Sequence, residues 1–151
     1  MILPMAAALL VGCTNIDPIE VPVPDGAHIL HGNWVGTAEF YNPPAPTRSF
    51  PVTVTAKASY VSATEYRVEG TLTFQNRTYA LQGTGQGAHG ATFRPQWSQL
   101  PRPSVSWQAD LLLNGEKVGS AHASSNPHER VKQWGALTVD EVTYNLTLTR
   151  R

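Results

Sequence analysis

Tyr66-Arg67-Val68-Glu69-Gly70-Thr71-Leu72-Thr73-Phe74, followed by Gln75-Asn76 and then by Arg77-Thr78-Tyr79-Ala80-Leu81-Gln82-Gly83-Thr84-Gly85, reads as two β-strands back to back. Tyr66, Val68, Gly70, Leu72 and Phe74 alternate with Arg67, Glu69, Thr71 and Thr73, and successive strand residues point to opposite faces. After a tight turn around Asn76, the apolar or small parity resumes at Tyr79, Leu81, Gly83 and Gly85. One face is apolar and the other polar, as in an antiparallel pair lying on a core.

The same alternation extends in both directions. Upstream, Phe50, Val52, Val54, Ala56 and Ala58 alternate with Thr53, Thr55 and Lys57, and Trp34, Gly36, Ala38 and Phe40 with Val35, Thr37 and Glu39. Between these two strands, Asn42 to Ser49 carries three prolines and reads as a loop. Downstream, Ala91, Phe93 and Trp97 suggest a short strand that Pro95 demotes to an edge or a bulge. Val105, Trp107, Ala109, Leu111 and Leu113 lead into Asn114-Gly115, a strong hairpin signal, and a partner strand from Lys117 to about Ala123. Asn126-Pro127-His128-Glu129 has the cap, proline and acid of a helix start, with room only for a short helix before Trp134. Gly135, Leu137 and Val139 then pair through Asp140-Glu141 with Val142, Tyr144, Leu146 and Leu148.

Eight or nine short strands in sequence order, nearly all half apolar, predict an all-β fold. Closing the sheet removes both exposed edges, so an up-and-down antiparallel barrel is the preferred architecture, with a two-sheet sandwich as the alternative. The barrel domain is assigned to residues 28–151. Its apolar face is rich in small residues such as Gly36, Ala56, Gly83 and Ala109. These either let a filled barrel taper or leave a cavity lined by Phe40, Tyr66, Phe74, Tyr79, Phe93, Trp107 and Tyr144.

The first 27 residues read differently. Ile2 to Leu10 is an apolar run too short to span a bilayer and of the length of an export signal. It ends in Leu10-Val11-Gly12-Cys13, which resembles the lipobox of bacterial lipoproteins position by position, although no Lys or Arg precedes it. The resemblance implies a signal peptide over 1–12, cleavage between Gly12 and Cys13, and a diacylglyceryl thioether on Cys13 that anchors the protein to a membrane of the cell envelope. Thr14 after the cysteine favours the outer membrane by the same resemblance. Residues 13–27 contain Pro18, Pro22 and Pro24 among Asp17, Glu20 and Asp25, and read as a semi-rigid acidic tether.

Gly32-Asn33-Trp34 at the head of the first barrel strand resembles the Gly-x-Trp signature of lipocalins and other calycins. In that superfamily the Trp closes one end of the barrel and packs against an Arg near the end of the last strand, a role open here to Arg150 or Arg151.

Composition excludes some classes of function. Eleven basic and eleven acidic residues balance, so there is no nucleic-acid signature. A single cysteine makes no internal disulfide. Gly85-Gln86-Gly87-Ala88-His89-Gly90 fits Gly-x-Gly-x-x-Gly literally, but a strand follows it rather than a helix. The histidines at 28, 31, 89, 122 and 128 form no ligand set with Cys or carboxylates, and no nucleophile, acid and base converge. No metal, cofactor or catalytic residue is expected. The expected function is that of a non-enzymatic, membrane-anchored binding module for a small apolar ligand or an envelope protein partner. A structural envelope protein or a protease-inhibitor-like protein is the alternative, with Asn42 to Ser49 or Gln99 to Ser104 as contact loops.

Cys13→Ser is expected to move the protein from the membrane to the soluble fraction, or to leave it unprocessed, with loss of the acyl mass. Unchanged fractionation together with an intact mass free of acyl chains in the parent protein contradicts the anchor.

Overall fold

A computed structural model of the chain describes residues 30–62, 64–87, 105–125 and 131–151, with the backbone of 21–22 and 92–93. The lipobox, most of the acidic tether, the 99–104 loop and the expected helix at 126–129 lie outside the described residues. The strands are β1 (Val21–Pro22), β2 (Gly32–Phe40), β3 (Arg48–Tyr60), β4 (Glu65–Phe74), β5 (Arg77–Gln86), β6 (Thr92–Phe93), β7 (Val105–Leu113), β8 (Glu116–Ser125), β9 (Lys132–Val139) and β10 (Val142–Arg150).

Eight of them close an antiparallel barrel in the order β10-β2-β3-β4-β5-β7-β8-β9. It is an up-and-down barrel and not a two-sheet sandwich. β6, expected among the strands on the shared core, is not in its wall, and Ala91 and Trp97 lie outside the described residues. β6 instead pairs with β1, Val21 opposite Phe93, as a separate two-stranded ladder. Phe93, expected to line the interior, thus belongs to a strand outside the barrel.

One end of the barrel is built from turns. Gln75-Asn76, Asn114-Gly115 and Asp140-Glu141 all have positive φ at both positions, as a right-twisted hairpin demands of its two-residue loop. The β2–β3 loop lies at the same end, with every residue from 41 to 47 exposed. The opposite end carries the longer connections and the start of β2.

The inward parity is the one read from the alternation. Trp34, Ala38, Val52, Val54, Ala56, Tyr66, Val68, Leu72, Phe74, Tyr79, Leu81, Leu111, Leu137, Leu146 and Leu148 are all buried. Outward positions such as Thr53, Thr55, Lys57, Arg67, Glu69 and Thr71 are exposed and polar. This is the reverse of a membrane-spanning barrel, whose lipid-facing wall is apolar. β7 and β8 slip register between Leu111 and Leu112, a bulge that bends the wall next to the Asn114-Gly115 turn.

Two of the small inward residues are set by close backbone approach. A Cβ at Gly36 would lie 1.8 Å from the Thr147 carbonyl oxygen, and one at Gly135 would lie 1.8 Å from that of His122. At these points the wall bends so far inward that only hydrogen fits, so the glycines serve curvature. Gly135→Ala is expected to lower stability in denaturant unfolding by about 1–3 kcal/mol, the usual cost of forcing extra volume into a packed site. Glu141, with φ of 64°, occupies left-handed backbone that L side chains adopt at a cost. Glu141→Gly is expected to raise stability by up to about 1 kcal/mol; equal midpoints for these variants and the parent would contradict both assignments.

Candidate functional site

The end opposite the turns is closed by side chains from the two chain-terminal barrel strands. β2 and β10 pair with Trp34 opposite Arg150. The Arg150 guanidinium carbon lies 4.9 Å from the centroid of the Trp34 ring, a cation–π stack. The Trp34 indole N–H donates to the Leu30 carbonyl at 3.2 Å. Leu30 is itself buried, so the residues just before β2 fold under the barrel as a plug. The Arg150 backbone N–H donates to Val131 and that of Arg151 to Asn33, which ties the C-terminal residues to both neighbouring segments. Arg150 holds the stacking position, while Arg151 is exposed. Burial lowers the Arg150 pKa from its ordinary value, and the guanidinium still remains charged at neutral pH.

Above the plug, the buried Trp107 indole N–H donates to Gln133 Oε1 at 2.8 Å. Gln133 is the buried polar residue of β9, and its Nε2 finds no partner among the described residues. The alternation of Gly135, Leu137 and Val139, carried back one step, places Gln133 inward, but its polarity hides it from a hydrophobic pattern. The Tyr66 hydroxyl donates to the Gly87 carbonyl at 2.9 Å, and its ring lies 5.1 Å from that of Tyr60. Leu30, Trp34, Val54, Val68, Leu81 and Trp107 surround the gap in the middle of this end, which has no room for a water-sized sphere.

The turn end is filled by aromatic rings. Phe74 and Tyr144 are 5.0 Å apart, and Phe50 stands edge-on to both at 5.8 and 5.9 Å. Phe40 joins them 5.9 Å from Tyr144. Tyr79 is buried on β5. Phe40, Tyr66, Phe74, Tyr79, Trp107 and Tyr144 therefore all belong to the packed core, Phe40 at its partly exposed edge.

The open space is on the outside. Two adjoining hollows of about 420 and 280 Å³ lie over the outer faces of β5, β7 and β8, sharing Thr84, Gln108 and His122. The first is bordered by Gln82, Asp110, Lys117 and Ser120, and the second by Gln86, Ser106 and Ser124. Asp110 and Lys117 pair at 2.9 Å across its rim; both side chains are at least half exposed, so the pair adds little stability. Another recess of about 420 Å³ lies on the wall beside Phe50 and Phe74. His31 and His122 are both exposed, and among the described residues no three His, Cys, Asp or Glu are grouped closely enough for a metal. The other three histidines lie outside the described residues.

No protein-family model, curated protein or solved structure matches the chain.

Arg150→Ala is expected to lower stability by about 1 kcal/mol through loss of the stack and of the packed aliphatic stem. Arg150→Lys should recover only part of that, since an ammonium lacks the planar face that lies on Trp34. A Lys variant as stable as the parent would show that charge alone accounts for the contact.

Proposed function

We propose that the protein is a membrane-tethered, non-enzymatic binding module of a bacterial envelope, held by acyl chains on Cys13, that engages its partner through the outer surface of its barrel. The tether and the address rest on Leu10-Val11-Gly12-Cys13 and on the acidic, proline-spaced residues that follow. Two or three acyl chains, at about 0.8 kcal/mol per buried CH₂, hold a protein on a bilayer persistently. The stack of Arg150 on Trp34 supports reading the barrel as calycin-like.

The observation that carries the choice of surface is the filled interior. Ligand-holding barrels keep a cavity, and small-molecule pockets run to some hundreds of Å³. Here the gap beneath Trp34 and Trp107 does not admit a water-sized sphere. The aromatic rings at the turn end stand 5.0–5.9 Å apart, at ordinary packing distance. A ligand inside would have to displace Leu30, Trp34 or the aromatic cluster, at a cost of several kcal/mol of buried apolar surface. The wall and the exposed β2–β3 loop remain, and an envelope component of polymer size, too large to enter a small barrel, suits them.

Native mass spectrometry of the protein extracted from its own membranes should give the polypeptide with its acyl modification and no non-covalent small molecule. A lipophilic ligand bound at one per chain would contradict the reading.

A further inference from the structure

The outer wall has rows that carry Lys, Arg, Asp or Glu and rows that carry none. Across β3 and β4 the outward residues include Lys57 opposite Glu69, and Arg67 beside them. Around β7, β8 and β9 the outward rows are Gln108, His122 and Ala136, then Ser106, Ser124 and Trp134, each directly opposite the next. The two hollows lie on this second side. Their one ion pair, Asp110 with Lys117, is neutralised within itself. Trp134 is 44 % exposed, and its register opposite Ser124 puts the indole on the same outer face as the hollows, next to their margin.

Such a trough has a defined chemistry. Glutamine amides and serine and threonine hydroxyls both donate and accept hydrogen bonds, which suits a ligand whose own groups do both. A charged ligand would lose hydration and meet no net opposite charge, since Asp110 and Lys117 answer each other. A wholly apolar ligand would strip water from the Gln82, Gln86 and Gln108 side chains without replacing their hydrogen bonds. An exposed indole offers a flat apolar face with a polar edge. A sugar ring presents the matching combination, hydroxyls around its rim and a face of C–H groups. We infer that the trough over β5, β7 and β8, flanked by Trp134, binds a neutral oligosaccharide. The inference rests on the exterior-surface reading above and names the ligand class for it. The larger hollow alone, about 420 Å³, accommodates more than one ring. The recess beside Phe50 and Phe74 has its amides, Gln75 and Asn76, on the β4–β5 turn and not along the strands, and is not part of the site.

The test titrates the full-length acylated protein, held in a detergent without a sugar headgroup, with chitotetraose, cellotetraose and maltotetraose. Tryptophan fluorescence and backbone amide shifts are recorded. At least one of the three is expected to bind saturably with a dissociation constant below about 1 mM, moving the amides of Gln108, His122 and Ser124. Trp134→Ala, at an exposed position, should weaken that binding at least about tenfold while leaving the rest of the amide spectrum in place. Gln108→Ala should weaken it with an unchanged unfolding midpoint. No saturable response to any of the three, or binding indifferent to Trp134→Ala and Gln108→Ala, overturns the assignment. Shifts confined to inward residues such as Leu81 and Leu137 would overturn the exterior reading as well. A silent titration with no small molecule in the native mass spectrum overturns the glycan alone.

Discussion

Every other strand pairing in the barrel joins segments that lie close along the chain, but the pairing of β2 with β10 joins residues more than a hundred positions apart. Leu146 meets Ala38, Leu148 meets Gly36, and Arg150 meets Trp34. Without this seam the wall would be an open sheet with two unpaired edges and one apolar face in water. Gly36 lets the two backbones close, since a side chain there would collide with Thr147. The stack of Arg150 on Trp34 and the bond from Trp34 to Leu30 then cover the lower end. Curvature, closure and the plug are thus one device, set by a few residues of the first and last barrel strands. Such long-range pairing costs loop-closure entropy before its contacts form, the feature that slows folding in β-rich topologies generally.

A filled barrel narrows the kinds of work the molecule can do. Its interior is organised around tight contacts: rings at the turn end, the Trp107–Gln133 bond at the other, glycines where the wall turns inward. Its wall is polar and faces water. On the proposed reading, recognition falls to the outward side chains of the strands, whose spacing is fixed by the pleat. The trough beside Trp134 has that character, with amides and hydroxyls held in register by β5, β7 and β8.

Much of the architecture was legible because antiparallel strands with one wet face write their parity into the sequence. The alternation from Tyr66 through Gly85 sets the inward face of β4 and β5, and Asn114-Gly115 declares its hairpin. Near Phe93 three apolar residues over seven positions mark a strand, which β6 is, without saying which sheet it joins; tertiary pairing with Val21 decided that. Gln133 was hidden by its polarity, although its parity with Gly135 and Leu137 marks it inward. The choice of Arg150 over Arg151 follows from parity too, since Arg150 shares the face of Leu146 and Leu148. The hollows over β5, β7 and β8 have no signal in the sequence. They depend on how sharply the wall bends, a property of the closed barrel and not of any strand.

The central claim is that, among the described residues, the barrel is closed over an interior with no usable space, and xenon tests it most directly because it enters small dry cavities that water leaves empty. A crystal of the protein pressurised with xenon should show no xenon inside the wall. A well-occupied xenon atom between Trp34, Val54, Leu81 and Trp107 would contradict the account and return the ligand to the inside of the barrel.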